Sequence, residues 1–449
     1  MIWRKLGFKK DIFFVEPLVP TEEDMALFVG REDEAKQYLI DTLSSTRALK
    51  IVSGDIGVGK TTFVNACQYF SYSGKLPFEF DYDVPKVLPC FEKLQLMNKM
   101  TLEEFSTQVI ISVCKSIVYH CDAIKKEPPQ QIQEILNFFL NLYYDNDGKG
   151  FSGGISVLGS GYQFGKNQAT RGINILRNSK IVLKNLVEIT RKELDFEGVF
   201  VTVNNLEILR QDDILRFFNE GRDELFDIQG IYWTFIGYKG VGNIIEQRAK
   251  RVADYFSGTE LNIAPLSFKT TKKIIDTRVE ALRNRDDANC PLDDDTIQRI
   301  YSLSMNETRE TLKICNEIVK RVMKIQPSIQ VIPPQIAMSA FMEYAHDYAR
   351  NIVLTQKNIQ LLAEMYIRKI CRSNDHKEFG YQTASGFVSA LNSLVDKRLL
   401  SVKSEENTVG MSKYYQITGL AVITALTGAL GKQIEQTARF LSLVNGNEG

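Results

Sequence analysis

The segment Gly54-Asp55-Ile56-Gly57-Val58-Gly59-Lys60-Thr61 constrains the chain more than any other. It fits the pattern GxxxxGK[ST] and stands between a short apolar run, Ala48 to Ser53, and a helical pattern from Thr61 to Tyr69. Glycines allow the backbone to curl so that its N–H groups point inward, and the following helix adds the positive end of its dipole. Such a cradle takes phosphate. Lys60 supplies a point charge to the β- and γ-phosphates, and Thr61 offers a hydroxyl to Mg²⁺. The candidate nucleotide-binding residues are therefore Gly54, Asp55, Ile56, Gly57, Val58, Gly59, Lys60, Thr61 and Thr62. Thr61 is the candidate metal ligand, and ATP with Mg²⁺ is the expected cofactor pair.

Chemistry at such a loop also calls for an acid at the end of another central strand, to hold the magnesium shell and orient water. The best candidate strand, Gly198 to Val203, runs into Asn204-Asn205-Leu206-Glu207. Where acids are expected, Asn204 and Asn205 bring amides. These can hydrogen-bond a metal-bound water but carry no charge and cannot act as a base. Glu207 and Asp212 are the nearest acids. The pattern thus favours nucleotide binding with slow hydrolysis.

Strand candidates at Ala48–Ser53, Lys86–Phe91, Val199–Val203 and Ile231–Ile236 are separated by helical stretches, which predicts a parallel, doubly wound sheet. Thr101-Leu102-Glu103-Glu104 reads as a capping box opening a long helix to about Tyr119, and further helices are expected over Gln131–Tyr144 and Asn174–Glu193. The glycine-rich run Phe151 to Gly165 reads as a hairpin or loop; its Ile155, Val157, Tyr162 and Phe164 suit a contact made on assembly or binding. From Ser267 to Arg350 the pattern is helical. Helix, helix and two strands then follow from Thr355 to Ile417, the order of a winged helix-turn-helix.

Fifty-five basic residues balance fifty-five acidic ones, so no global field points to nucleic acid or membrane. Seven scattered cysteines without a CxxC pair suit a reduced compartment and argue against a zinc ribbon. No apolar run approaches the roughly 18–20 residues needed to span a bilayer, and the apolar patch Ile12 to Val15 is too short for a signal sequence. The expectation is a cytoplasmic protein with no membrane partner.

Ahead of the glycine-rich loop, Leu27-Phe28-Val29-Gly30-Arg31-Glu32 resembles the opening box of AAA+ proteins related to origin-recognition initiators and of the STAND ATPases. The resemblance implies that this box, with Phe28 and Val29, lines the adenine pocket largely through backbone. Trp233 to Gly237 resembles the family's sensor-1 strand, which places Thr234 or Gly237 near the γ-phosphate. Ala264-Pro265-Leu266-Ser267 resembles the hinge into a helical lid, and Ser304 to Arg309 the sensor-2 turn, which puts Arg309 over the phosphates. Arg248 and Arg251 fall where the family keeps an arginine finger for a neighbouring subunit. The implied fold is an α/β P-loop NTPase of the AAA+ type: a sheet domain over 1–265, a helical lid over 266–350 and a winged helix over 351–449. Lys60 and Asn204 stand 144 positions apart, longer than that core needs, so an insertion is expected at about 95–195.

If the C-terminal module binds double-stranded DNA, its second helix presents Thr383, Ser385 and Ser389 to the groove, and Lys397, Arg398, Lys403 and Lys413 meet phosphates. Residues 355–449 carry eleven Lys and Arg against eight Asp and Glu, a weak footprint for DNA alone. Two functions follow from the resemblance. One is an ATP switch that assembles into a homo-oligomer and grips DNA. The other is a STAND-like signalling or antiphage-defence ATPase whose winged helix and insertion bind an effector protein.

Overall fold

The computed structural model describes residues 2–76, 84–145, 175–206, 209–407 and 410–426. The glycine-rich run 151–165 and Glu207 lie outside the described residues, as do the side chains of Lys403 and Lys413.

Short helices α1 (Ile2–Lys5) and α2 (Glu22–Met25) lead into α3 (Glu32–Leu43), β1 (Ala48–Gly54) and α4 (Lys60–Ser73). Strands β2 (Leu88–Pro89) and β3 (Leu94–Gln95) precede three helices, α5 (Leu102–Ala123), α6 (Gln130–Asp145) and α7 (Ile175–Leu194). Then come β4 (Val199–Asn204), α8 (Gln211–Gly221), β5 (Ile231–Gly237), α9 (Val241–Arg248), α10 (Lys250–Ala253) and β6 (Leu261–Ile263). The strands form one sheet in the order β2-β4-β5-β1-β6, with β3 also pairing β4, and every pairing is parallel. This is the α/β architecture expected. The strand anticipated over 86–91 is shorter, only Leu88–Pro89.

Parallel strands must be covered on both faces, and β1 and β5 are buried throughout. Alternation along the strands divides the faces. Leu49, Ile51, Val201, Val203, Trp233 and Phe235 join one core with α5, α7 and α8, while Val52 and Ile236 join another with α3 and α4. The helices expected as an insertion are therefore part of the main core: Phe105 of α5 packs edge-on against Phe217 at 4.9 Å. The Thr101–Glu104 capping box forms in full at the start of α5, which contributes about 1 kcal/mol.

Beyond β6 the helices α11 (Phe268–Leu282), α12 (Asp294–Leu303), α13 (Thr308–Ile325) and α14 (Pro334–Arg350) make a second unit. After it come α15 (Gln356–Arg368), β7 (Ile370–Arg372), α16 (Ala384–Asp396), the hairpin β8 (Leu400–Asn407) and β9 (Gly410–Ile417), and α17 (Gly419–Leu426). The three strands form an antiparallel sheet, β7-β9-β8. Helix, helix and hairpin match the order read from the sequence, with β7 as an addition.

Two features depart from the boundaries drawn at 265 and 350. The arm before Val15 packs mainly with the helical unit, and Phe14 also borders the core of the sheet domain. Trp3, Phe8, Ile12 and Phe13 are buried with α11–α14. Arg278 of α11 donates to the carbonyls of Ile12 and Phe14, and Lys9 N–H donates to Leu282 O at 2.8 Å. Aromatic residues in an arm follow whichever unit has an open apolar groove, and the helical unit supplies it. The same core also runs without a break into α15–α17. Among the described residues no helix is long and apolar enough to cross a membrane, and no His, Cys, Asp and Glu cluster could hold a metal ion.

Candidate functional site

The loop between β1 and α4 takes its shape from three glycines. Gly54, Gly57 and Gly59 have φ of 147°, 88° and 93°, a region that side chains rarely adopt. Gly59 caps α4 in the left-handed conformation, and no side chain caps the helix, so its first N–H groups face the loop. A Cβ at Gly59 would meet nothing within 4 Å, so space is open beside that residue. Lys60 is buried beneath it, its ammonium donating to the carbonyls of Gly54 at 2.8 Å and Asp55 at 3.1 Å. The donor set, uncapped N–H groups beside a buried lysine and the Thr61 hydroxyl, fits a triphosphate with its magnesium ion. Ile56 is 82% exposed at the loop's tip, and Thr62 turns away to accept from Leu18 N–H at 3.3 Å.

The second unit closes on this loop. Arg309 opens α13 after a turn in which Met305 and Asn306 both have positive φ. A Cβ at Gly57 would stand 3.5 Å from Arg309 Cδ, so the arginine lies against the loop. The box ahead of β1 fills the seam. Phe28 is buried against Phe70 at 5.6 Å, Gly30 sits under Thr270 of α11, and Glu32 pairs with Lys273 of α11 at 3.5 Å. Val29 is part-buried beside them.

Arg31 was not singled out by the sequence reading, yet it is only 5% exposed. Its Nη2 donates to Val58 O at 3.0 Å and to Ala264 O at 2.6 Å, and Nη1 donates to Glu34 at 3.2 Å. Burial lowers its pKa, with Glu34 acting in the opposite sense. The guanidinium thus ties the glycine loop to the first residue of the hinge. The signal available was an arginine directly after a glycine and before an acidic helix start.

The remaining candidates are more dispersed. Asn204 ends β4 on the sheet face shared with α4, and its side-chain oxygen is buried without a hydrogen-bond partner. Asn205 follows with φ 62°, which turns the chain away. Thr234 lies within the sheet, in register with Lys50 and Thr202, and bonds the buried Tyr38 hydroxyl. The position of β5 level with Ser53, at the sheet's rim, is Gly237. Thr234 belongs to a polar row across the sheet: Lys50 pairs with Asp41, Thr234 with Tyr38, and Thr202 with Gln68. These pairs fix α3 and α4 to the strands, because a buried polar group must find a partner. A lysine within an otherwise apolar strand, Lys50, is the sequence signal for this row.

Arg248 and Arg251 are exposed on α9 and α10, and Arg248 touches Gln211 at 3.4 Å. In the C-terminal module Thr383 caps α16 by accepting from Gly386 N–H. Ser385, Ser389, Asn392 and Asp396 share its outer face. Lys397 folds back onto Ser393 at 3.0 Å, and Arg398 is exposed with φ 58°.

No protein-family model matches the chain, and no characterised protein matches it by sequence. Solved structures do resemble it. The ORC2 protein of Aeropyrum pernix in ADPNP–ADP complexes aligns at 12% identity and a TM-score of 0.48, covering 96% of this chain and 100% of that one. The ORC1 protein of the same organism in complex with DNA aligns at 13% identity and 0.43, covering 97% and 98%. Cdc6p from Pyrobaculum aerophilum aligns at 15% and 0.41, covering 95% and 97%.

Proposed function

We propose that the chain is an AAA+ ATP-binding switch, a slow ATPase at most, that couples nucleotide occupancy to assembly and to a grip by its C-terminal module. The observation that carries this reading is the convergence of Lys60 and Arg309 on one glycine loop from two separate units. A nucleotide between them supplies negative charge that both cations attract, so occupancy holds the helical unit against the sheet. Thr61 holds the magnesium ion, and Phe28, Val29 and Gly30 border the base. Bound ATP supplies a γ-phosphate for transfer to water. Asn204 can orient that water but cannot take its proton, so turnover is slow. Thr234 acts through the sheet by fixing Tyr38. Arg248 and Arg251, exposed and free of acidic hydrogen-bond partners among the described residues, suit a neighbouring copy's nucleotide.

In this reading the module from Thr355 onward is a winged helix, and its α16 and hairpin touch double-stranded DNA. One observation favours a second reading, in which the same module binds a protein effector, as in STAND ATPases. The outer face of α16 carries Ser385, Ser389, Asn392 and Asp396, a single charge of the wrong sign for a phosphate backbone.

Light scattering of the full chain and of Lys60→Ala, without nucleotide and with ADP or ATP–Mg²⁺, tests the switch, with phosphate release followed on the same samples. Assembly of the wild type alone with ATP, lasting hours with little phosphate released, supports it. Identical behaviour of both chains in every state sinks it. Duplex binding at moderate salt that strengthens with ATP selects DNA over a protein effector.

A further inference from the structure

We propose that Arg31 is a positioning residue that makes the shape of the glycine loop depend on the position of the helical unit. The inference rests on the nucleotide reading and deepens it. Val58, whose carbonyl Arg31 holds, lies between Gly57 and Gly59, both in the left-handed region. A carbonyl between two such glycines can rotate at low cost, so its direction is set by what binds it. The same nitrogen holds Ala264 O, the first residue after β6 on the way to α11.

The hinge touches the loop at a second point. A Cβ at Gly54 would lie 2.5 Å from Ile263 O, so the end of β6 presses on the loop's first residue. Residues 263 and 264 therefore address both ends of the loop, one by contact and one through the guanidinium. When α11 swings, Ala264 O moves, and the nitrogen that donates to both carbonyls must follow it or release Val58. The planar fork is suited to this task, since a lysine ammonium in the same place cannot hold the two carbonyls and Glu34 in one fixed geometry. Glu34, on the same helix start, restrains the guanidinium from the other side. The box thus contributes a mechanical link in addition to a wall for the base.

A double-mutant cycle on the full chain tests the link, with a fluorescent ATP analogue and Mg²⁺ as the probe. Arg31→Lys and Arg309→Ala are each expected to weaken binding about tenfold. Their combination is expected to weaken it about tenfold as well, because without the link the helical unit no longer holds Arg309 at the loop. A residue that merely stabilises the fold gives an additive loss, about a hundredfold. Additivity, or wild-type affinity for Arg31→Lys, overturns the inference.

Hydrogen exchange on the wild type gives a second measurement that does not depend on any variant folding. Inorganic pyrophosphate fills a phosphate loop without a base. It is expected to slow exchange over residues 261–266 together with 54–60, whereas protection of 54–60 alone overturns the proposal. If neither the wild type nor Lys60→Ala binds the analogue, the nucleotide reading and the link both fall, an outcome distinct from loss of the coupling alone.

Discussion

Arg309 lies against Gly57, its Cδ 3.5 Å from where a Cβ on that glycine would stand. The contact joins the start of α13 to the glycine loop across 252 positions of sequence. Removing the guanidinium with Arg309→Ala is expected to weaken ATP binding about tenfold or more, the scale of a lost charge-assisted hydrogen bond, and to weaken ADP binding less. Arg309 is exposed, so the melting temperature without nucleotide should hardly change. Calorimetric titration of both nucleotides checks this. Equal losses for ATP and ADP would place the arginine away from the γ-phosphate.

Asn204 offers a gain-of-function test. Its side-chain oxygen is buried and has no hydrogen-bond partner. Asn204→Asp puts a charge there at nearly constant volume. With magnesium present, phosphate release is expected to rise on the order of tenfold or more, since a metal-anchoring acid is restored. Without magnesium, the variant should unfold at a lower temperature than the wild type, because a buried carboxylate lacks a counter-charge. Unchanged release would mean that Asn204 does not face the nucleotide.

Much of this site was legible in the sequence because its elements are local. Gly54 to Thr61 carries its own backbone demands, and the Thr101–Glu104 capping box fixes the start of a helix within four residues. Contacts between distant segments were not legible. Nothing near Arg31 in sequence reveals that its guanidinium ends beside Ala264, 233 residues away. Likewise the resemblance implies Thr234 or Gly237 near the γ-phosphate, but only the register with Lys50 shows that Thr234 lies inside the sheet. The arm from Trp3 to Phe13 mixes basic and apolar residues, and which unit takes its apolar side chains depends on a groove formed by helices almost three hundred residues later.

The C-terminal module meets the helical unit at Gly419. A Cβ there would lie 2.6 Å from Ser304 Cα and 2.9 Å from Ser304 O, at the start of the turn that ends in Arg309. Backbone cannot step aside as a flexible side chain does, so Gly419→Ala is expected to cost about 1–3 kcal/mol. Because α17 shares the core of α12–α14, the loss should appear as faster hydrogen exchange in 419–426 and in 300–309, and not in β1 or β5. If the module signals nucleotide occupancy, Gly419→Ala is also expected to weaken any ATP effect on duplex or effector binding.

Lys93 provides a pH test. It precedes β3 at the edge of the sheet, and burial pushes its pKa down to about 8 from the ordinary 10.5. No acid contributes to that shift. Below pH 8 the ammonium is charged in both the folded and the unfolded chain, and the folded state bears the full cost of burying it. Between about 8 and 10.5 the unfolded chain holds the proton and the folded chain releases it, so stability from this group rises with pH. Above 10.5 both states are neutral and the cost is gone. Lys93→Met removes the charge at similar length. It is therefore expected to stabilise the fold at pH 7 by at most about 3 kcal/mol, with the gain shrinking steadily through that window. Urea unfolding of both chains from pH 7 to 10.5 measures the gap. A gap that stays constant with pH would show that the Lys93 ammonium keeps its water in the folded state.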